Sequence, residues 1–372
     1  MPKVLIVGPL PPPHGGIAIF IKYILTQSSL KQKYKISLYR TGRKSRETPL
    51  PSHVLSQAWL FLKFPFDKEF LDADIVHIHS SSFLGFYYNA LYLFISRIFN
   101  SKAKIIFHYH GVALRDFYQF ANPIGKFLIR KCFEDSDFII SPSKLILEDI
   151  HKICKNPNLR RIRNGVDISK FKQISQNEAR ATLGLPLDKK IIFNVSNLVV
   201  YKGHKYLISA IKEILKERKD IICIIGGQGP ERDNLLRKIS ELKLEGHVRL
   251  IGFIPDEYMS LWLNACDVFV LPSLYESFGI VLVEALACGK PLVATRTAGS
   301  VEVITSDDYG LLCKPADPTD LANKILIALE KKWDSNKILK YVTENFTWEK
   351  VAEELGRIYE ECLSSKSVGK IK

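Results

Sequence analysis

The 372-residue sequence predicts an α/β protein made of two Rossmann-like, doubly wound domains that face each other across a central cleft. Short β-branched runs alternate with helical patterns along almost the whole chain, which is typical of parallel sheets with crossover helices. The strand candidates are continuously apolar, which indicates burial on both faces. The chain is also too long for one ordinary core, and the strand–helix series starts twice, at Lys3 and at Lys189.

The individual elements follow from residue type and spacing. The strands predicted in the first half are Val4–Val7, Ile75–His79, Ile105–His108 and Phe138–Ser141. The strands predicted in the second half are Ile191–Val195, Ile221–Ile225, Val248–Ile251, Val268–Leu271 and Leu292–Thr295. Helical spacing of apolar residues predicts helices over Lys205–Arg218, Glu231–Leu242 and Ile280–Ala287.

Two breaks in the pattern set the expected domain boundaries. Residues 156–177 carry proline, Asn-Gly and other polar residues, which favour a connecting segment. We therefore expect an N-terminal domain over residues 1–168 and a C-terminal domain over residues 169–354. The last helix, over residues 355–372, can return to the first domain.

Charge and cysteine content restrict the function classes. The chain has 53 basic and 39 acidic residues, and its first 170 residues carry 25 of the basic and 12 of the acidic ones, so an anionic partner should meet the first half. Seven cysteines without a Cys-x-x-Cys pair favour a reducing compartment, and no apolar run reaches about 18 residues. These features predict a cytoplasmic protein.

A basic run and two aromatic segments in the first half allow two interpretations. Lys31–Arg46 lacks a recognised nucleic-acid-reading module, so no nucleic-acid partner is predicted. Together with residues 59–66 and 83–99, it could contact an anionic membrane surface. Burial of those aromatic residues in the core is an equally good interpretation.

The most informative segment runs from Tyr275 to Pro291. Gly279 opens a predicted helix, and free amides at that helix start form an anion site that suits phosphate. Glu276 and Glu284 flank this position, and carboxylates accept hydrogen bonds from hydroxyls, so a ligand with sugars on either side of phosphates fits. The alternative is that Glu276 only caps the helix and Glu284 faces water.

This segment resembles the Glu-x7-Glu signature of the family 4 retaining glycosyltransferases, which have the GT-B fold. Further matches to the family pattern follow in order along nearly the full chain. They are Gly15-Gly16, Asp74-Ile-Val-His77-Ile-His79, His110-Gly111, Arg163-Asn-Gly-Val-Asp167, Ser196 to Gly203, Gly226 to Glu231, Val248 to Phe253 and Phe346-Thr-Trp348-Glu. The resemblance is dense over residues 160–315 and sparse over residues 20–70.

The resemblance implies a nucleotide-sugar donor and a set of site residues. Glu276 would hold hydroxyls of the donor sugar, Glu284 would hold the ribose, and His110 would lie beside the reacting sugar. Lys202 would stabilise the negative charge that grows on the β-phosphate as the bond breaks. The other implied donor-binding residues are Gly15, Gly16, Asn197, Gly229, Phe253, Ile254, Ser277, Phe278, Gly279, Ile280 and Val281.

One position departs from the family pattern. Asn197 stands where family members usually have an arginine, so one of the two cations for the diphosphate is missing. Arg296 or a basic residue of the first half could replace it. Ser277, in place of the more usual glycine, still leaves a backbone amide.

The sequence predicts no metal site. Asp72-Ala-Asp74 precedes a strand at the end away from the ligand-binding edge, which favours a solvated strand start. The His77/His79 and His108/His110 pairs each project to one face of a strand, but no cysteine or carboxylate completes a zinc set.

We therefore expect a retaining, metal-independent hexosyltransferase without a cofactor. It would move a sugar from a nucleotide sugar, a UDP-sugar rather than GDP-mannose, to a hydroxyl of a glycan or lipid-linked acceptor. A role in cell-envelope polysaccharide biosynthesis follows from the basic, aromatic first half. Two alternatives remain open, a non-catalytic sugar-nucleotide-binding relative and an NAD-dependent oxidoreductase.

Overall fold

The computed structural model of the chain describes residues 1–12, 15–42 and 50–365. The chain divides into two compact units, each with its own parallel sheet. Unit 1 comprises Met1–Gly165 and Trp348–Lys372, and unit 2 comprises Val166–Thr347. The crossings between the units therefore fall at 165/166 and 347/348. Part of the basic run, residues 43–46, lies outside the described residues, as do residues 366–372 of the final segment.

Unit 1 contains a six-stranded parallel sheet in the order β2-β1-β3-β4-β5-β6. Its strands are β1 Lys3–Gly8, β2 Lys35–Arg40, β3 Ile75–Ser80, β4 Lys104–Tyr109, β5 Phe138–Ser141 and β6 Leu159–Arg161. Its helices are α1 Gly16–Ile24, α2 Ser28–Lys33, α3 Leu50–Lys63, α4 Lys68–Leu71, α5 Leu84–Phe99, α6 Leu114–Phe120, α7 Pro123–Glu134, α8 Lys144–Ile153 and, at the C-terminal end of the chain, α17 Trp348–Ser364.

Unit 2 contains a second six-stranded parallel sheet, in the order β12-β11-β10-β7-β8-β9. Its strands are β7 Lys190–Val195, β8 Ile221–Gly226, β9 Val248–Gly252, β10 Val268–Leu271, β11 Leu292–Thr295 and β12 Gly310–Cys313. Its helices are α9 Gln176–Leu183, α10 His204–Glu217, α11 Arg232–Glu241, α12 Met259–Ala265, α13 Ile280–Ala287, α14 Ser300–Val303, α15 Pro318–Glu330 and α16 Ser335–Asn345.

The predicted α/β, doubly wound fold class is confirmed, with every predicted strand present within a residue or two of its predicted ends. The sequence analysis misses three strands, namely β2, β6 and β12. All three lie at the edge of a sheet, where one side of the strand pairs with no other strand of the described residues and the sequence need not be continuously apolar. Lys35–Arg40, which the sequence analysis treats only within the basic run Lys31–Arg46, forms the edge strand β2.

Buried apolar side chains fill both faces of the sheets, as the continuous apolar strands require. In unit 1, α17 contributes Val351, Leu355 and Tyr359 to the core beside α1. All seven cysteines are buried free thiols and act there as small apolar side chains. No helix in the described part of the chain is long and apolar enough to cross a membrane.

Candidate active site

Backbone hydrogen bonds join the loops that follow the strands of unit 2 at the carboxyl edge of its sheet. Leu198 N donates to Gln228 O at 2.9 Å, and Gly227 N donates to Gly252 O at 2.7 Å. Gly203 has a φ of +72°, and a Cβ there would lie 2.0 Å from Pro272 O, so only glycine allows this close approach. The edge is therefore a rigid platform for the side chains that these loops carry.

Lys202 and Glu276 form an ion pair on this platform. Lys202 ends a 3-10 turn just before α10, and Glu276 lies in the loop between β10 and α13. The Lys202 Nζ to Glu276 Oε2 distance is 2.5 Å, and the two side chains are only 16% and 11% exposed. Leu274 N also donates to Tyr201 O at 2.7 Å, so the backbone holds the two loops in register. The structure thus brings together two of the three predicted catalytic residues.

The start of α13 lies three residues after Glu276. Gly279 precedes the helix with a φ of +80°, and as a glycine it supplies no side-chain cap. Leu282 N donates to Gly279 O, so the amides of Ile280 and Val281 precede this first hydrogen bond of the helix. Because the Glu276 carboxylate pairs with Lys202, the interpretation that Glu276 only caps the helix is wrong. A cation and unpaired helix amides next to each other make a site for an anion.

Glu284 lies in the second turn of α13 and is partly buried rather than fully solvated. Burial raises the pKa of its carboxyl to about 7, with Asp256 adding to the rise and Lys170 opposing it. Lys170 and Asp256 themselves pair at 3.3 Å. A carboxyl with this pKa can change its protonation when a hydroxyl-bearing ligand binds it.

The other predicted donor-binding positions of unit 2 differ in exposure. Phe278 and Ile254 have side chains buried in the core, so only their backbone atoms can contact a ligand. Asn197 and Phe253 are exposed at the carboxyl ends of β7 and β9. Gly229 packs against the backbone of Leu198, where a Cβ would lie 2.3 Å from the carbonyl oxygen.

Two further side chains at this edge bear on the site. Arg296, the suggested replacement for the missing arginine, is exposed immediately after β11. Ser277 lies next to Gly299, where a Cβ would come within 2.6 Å of the Ser277 carbonyl carbon. Gly299 N also donates to Glu276 O at 2.8 Å, so the segment after β11 supports the loop that carries Glu276.

Residues missed by the sequence analysis complete the platform. His204 opens α10 directly after Gly203, and its Nε2 lies 2.9 Å from Ser196 Oγ. Burial, aided by Lys202, lowers the pKa of His204 to about 4, so its imidazole is neutral. The only sequence signal for it is its place after the matched Lys-Gly dipeptide, which indicates proximity but not burial.

In unit 1, His110 follows β4 and belongs to a group of four stacked imidazoles. His79 Nδ1 lies 2.9 Å from His110 Nε2, and His77 Nε2 lies 3.3 Å from His108 Nδ1. Rings from different hydrogen-bonded pairs also lie against each other. The ring centroids of His77 and His79 are 4.3 Å apart, and those of His108 and His110 are 3.9 Å apart. Tyr359 Oη lies 2.7 Å from His77 Nδ1. Burial lowers the pKa of His77 and of His110 to about 3, so both are neutral.

These imidazoles make a poor zinc site. The ligand nitrogens of His77, His79 and His108 all lie within 4.8 Å of one another, and these residues form the one metal-capable group among the described residues. Tetrahedral zinc needs nitrogen atoms about 3.3 Å apart, given Zn–N bonds of about 2.05 Å. The hydrogen bonds between His77 and Tyr359 and between His79 and His110 already occupy ring nitrogens that would have to turn toward the metal.

The remaining sequence candidates in unit 1 have simple environments. Lys3 Nζ lies 3.0 Å from Asp72 Oδ2, and Lys3 N donates to Asp74 Oδ2 at 2.7 Å. Both carboxylates therefore bind the first residue of β1. Gly15 and Gly16 lie at the start of α1, and a Cβ on Gly15 would meet no atom of the described residues beyond its chain neighbours within 4 Å. This open helix start leaves room for a ligand to approach the backbone.

Two family models match the sequence, one to each half. The model described as Glycosyltransferase Family 4 matches residues 24–170, and that described as Glycosyl transferases group 1 matches residues 175–345. Together they cover most of the chain, including the Lys202, Glu276 and Glu284 positions. The chain belongs to the family 4 glycosyltransferases.

The comparisons also show relatives and similar structures of this glycosyltransferase. It is 27% identical over 304 residues to the N-acetyl-alpha-D-glucosaminyl L-malate synthase of Bacillus anthracis, across 80% of this chain and 77% of the relative. It is 26% identical over 291 residues to the alpha-monoglucosyldiacylglycerol synthase of Streptococcus pneumoniae, across 73% of this chain and 64% of the relative.

A solved structure has the same fold. The crystal structure of Anabaena Alr3699/HepE in complex with UDP matches with a TM-score of 0.78 at 20% identity, covering 97% of this chain and all of that chain. The GT-B fold expected for this glycosyltransferase is thereby confirmed. The family assignment also leaves no support for the oxidoreductase alternative.

Proposed function

We propose that this glycosyltransferase transfers a hexose from a nucleotide sugar to a hydroxyl of a glycan or lipid-linked acceptor, with retention of anomeric configuration and without a metal. The observation that carries the proposal is the Lys202–Glu276 pair beside the first amides of α13. A cation, a carboxylate and free amides within one rigid edge match the phosphates and hydroxyls of a nucleotide sugar.

When the donor binds, Lys202 and Glu276 release each other and each binds a part of the donor. Lys202 and the amides of Ile280 and Val281 take the diphosphate, while Glu276 accepts hydrogen bonds from hydroxyls of the donor sugar. Glu284 accepts hydrogen bonds from the ribose hydroxyls in its ionised form. We favour a UDP-sugar, and the UDP complex of the similar Anabaena structure supports this choice.

In this mechanism neither a protein nucleophile nor a metal is needed, because the leaving nucleoside diphosphate itself takes part in the reaction. Negative charge grows on the β-phosphate as the glycosidic bond breaks, and Lys202 with the α13 amides stabilises it without a divalent cation. The acceptor hydroxyl attacks from the same face and passes its proton to the leaving phosphate. Glu276 stays bound to hydroxyls of the donor sugar throughout.

An apolar groove in unit 1 supports a lipid-linked acceptor. Its volume is about 280 Å³ and it is lined by Phe83, Leu84, Tyr87, Phe117, Phe120 and Ala121. The groove borders the loop that carries His110, because Ser82 Oγ hydrogen-bonds to Val112 O and to Tyr109 Oη. Phe83 is 57% exposed and has a φ of +58°, a backbone strain that is most often found at functional sites.

Contact with an anionic membrane follows from α3 of the same unit. Leu55, Trp59 and Leu62 are each more than half exposed along this helix, and Phe66 just beyond it is 80% exposed. Lys63 Nζ lies 4.9 Å from the Trp59 ring centroid, so a cation accompanies the apolar face. An apolar helix face with flanking lysines, in the basic half of the chain, suits the inner face of the cytoplasmic membrane and a role in envelope biosynthesis.

Vesicle flotation tests the membrane contact. We expect flotation with anionic vesicles at low salt and its loss in Trp59→Ala. Ile327→Ala is the matched control, because Ile327 is 50% exposed on α15 of unit 2. Equal flotation of both variants, or no flotation of the unmodified chain, would refute the contact.

A transfer assay in EDTA tests the catalytic proposal. UDP-, GDP- and ADP-sugars are supplied with diacylglycerol- or polyprenyl-linked acceptors, and released nucleoside diphosphate is measured. We expect acceptor-dependent release from one nucleotide sugar, with a product whose anomeric proton coupling in NMR matches that of the donor. Inverted product, or a strict requirement for Mg²⁺, would contradict the mechanism.

The absence of arginine at Asn197 favours the second candidate, a binding relative without turnover. In that case a nucleoside diphosphate binds but no donor is consumed, and Asn197→Arg raises turnover strongly. In a competent enzyme Asn197→Arg changes turnover little.

A further inference from the structure

The Lys202–Glu276 ion pair places a carboxylate beside the anion site of unit 2. Lys202 Nζ lies 2.5 Å from Glu276 Oε2, and the two side chains are only 16% and 11% exposed. The Glu276 side chain also lies against the start of α13, because a Cβ on Gly279 would be 3.3 Å from Glu276 Cγ. A phosphate that approaches Lys202 at this helix start therefore has to compete with a carboxylate that is already there.

Lys202 is the cation that neutralises the Glu276 carboxylate in the described part of the chain. His204 lies two positions after Lys202, but burial together with Lys202 lowers the pKa of His204 to about 4, so its imidazole is neutral. Asn197, just after β7, carries no charge. A carboxylate as buried as that of Glu276 is destabilised when its cation leaves, unless other hydrogen-bond donors take the place of the cation.

A nucleotide sugar and a nucleoside diphosphate differ in what they offer this pair. The nucleotide sugar supplies phosphates to Lys202 and hydroxyls to Glu276, so each side chain exchanges one partner for another. The nucleoside diphosphate supplies phosphates alone, so its binding to Lys202 leaves the Glu276 carboxylate without a donor and close to a like charge. The same two residues therefore favour the first ligand and oppose the second.

We propose that the Lys202–Glu276 pair makes the site select the intact nucleotide sugar over the nucleoside diphosphate that the reaction leaves behind, and this inference rests on the proposed function. Once the sugar has been transferred and has left, Glu276 has lost its hydroxyl partners and competes with the β-phosphate for Lys202. Re-forming the ion pair weakens the binding of the product and speeds its release. No covalent bond changes in this step, and both residues belong to unit 2.

Titration calorimetry of the full chain in EDTA, without an acceptor, tests this selection. UDP is compared with UDP-glucose, UDP-galactose and UDP-N-acetylglucosamine. We expect the unmodified chain to bind at least one of these UDP-sugars about 10-fold more tightly than UDP. Glu276→Gln should bind UDP about 10-fold more tightly than the unmodified chain does, because Lys202 no longer has to leave a carboxylate. The affinity for the UDP-sugars should change less, so the preference for them over UDP should shrink.

Two further variants separate the carboxylate from other effects of the change. Glu276→Ala should also tighten the binding of UDP, because the charge is lost without any gain of an amide donor. Glu213→Gln is the matched control, because Glu213 and Lys216 form a 2.5 Å pair on α10 of the same unit, with side chains 38% and 66% exposed. The affinities of Glu213→Gln for UDP and the UDP-sugars should stay within about twofold of those of the unmodified chain.

Two results would overturn the proposal. One is that Glu276→Gln and Glu276→Ala bind UDP no more tightly than the unmodified chain does. The other is that the unmodified chain binds UDP as tightly as every UDP-sugar tested. If neither UDP nor any of the UDP-sugars binds the unmodified chain, the proposed UDP-sugar function fails and the selection fails with it. The binding of UDP to the unmodified chain thus shows which of the two proposals is wrong.

Discussion

Glu284→Gln should change the pH dependence of stability in a direction that the structure fixes. The Glu284 carboxyl has an ordinary pKa of 4.5, and burial raises its pKa to about 7 in the folded protein. Between these two pH values the folded state holds a proton that the unfolded state has lost. Stability therefore falls as the pH rises from about 4.5 to about 7, and the loss is complete above that range.

The size of the effect follows from the difference between the two pKa values. One pKa unit corresponds to about 1.36 kcal/mol, so the carboxyl costs the folded state about 3 kcal/mol at pH 8. A glutamine side chain at this position stays neutral at every pH and avoids this cost. Glu284→Gln should thus gain stability relative to the unmodified chain at pH 8 but not at pH 4.5. Lys170 opposes the rise, so Lys170→Met should enlarge the effect.

Thermal unfolding of the full chain at pH 5 and pH 8 provides the assay. The difference in melting temperature between Glu284→Gln and the unmodified chain should grow by several degrees from pH 5 to pH 8. Glu257→Gln is the matched control, because Glu257 is an exposed glutamate of the same unit. A difference that stays constant with pH, or that shrinks toward pH 8, would refute the reasoning.

Three further predictions concern the same edge of the sheet and the unit that carries it. Nucleoside diphosphate affinity should fall as the pH drops below about 7, because the ribose hydroxyls bind the ionised form of Glu284, and titration calorimetry of Glu284→Gln should show a flat profile. Gly203→Ala should lower the melting temperature by several degrees and weaken nucleotide binding, because the added Cβ would meet Pro272 O. Gly184 also has a left-handed backbone conformation, but a Cβ there would have open space around it. Gly184→Ala should therefore cost only about 1 kcal/mol and leave nucleotide binding intact. Asp267→Asn should destabilise the chain by about 3 kcal/mol in thermal unfolding, because it removes the carboxylate charge that lies 2.7 Å from buried Arg180. An unchanged melting temperature would contradict this.

Most of the fold could be predicted because central parallel strands are apolar on both faces. Strands such as Phe138–Ser141 and Val268–Leu271 have the predicted ends because turn residues bound their apolar runs. The edge strand Lys35–Arg40 escapes prediction because it pairs on one side only within the part of the chain that the structure describes, which allows lysine, serine and arginine within it.

The candidate site could be predicted in composition but not in its contacts. The spacing from Glu276 to Glu284 and the helix start at Gly279 are local features, so the sequence contains them. The ion pair from Lys202 to Glu276 joins residues 74 positions apart and depends on how two loops pack. The His79–His110 pair likewise depends on the register between β3 and β4, which places His79 opposite His108. Alternating histidines indicate a shared face but not a hydrogen bond.

Binding of UDP to the full chain in EDTA tests the central claim most directly. At about 100 times its dissociation constant, UDP should stabilise the folded protein by about 2.7 kcal/mol in thermal unfolding. Lys202→Ala should abolish this stabilisation, while Lys205→Ala, which removes an exposed lysine of the same helix start, should preserve it. GDP and ADP measured in parallel identify the base. If none of these nucleotides stabilises the protein, or if Lys202→Ala responds as the unmodified chain does, the donor site is not where this account places it.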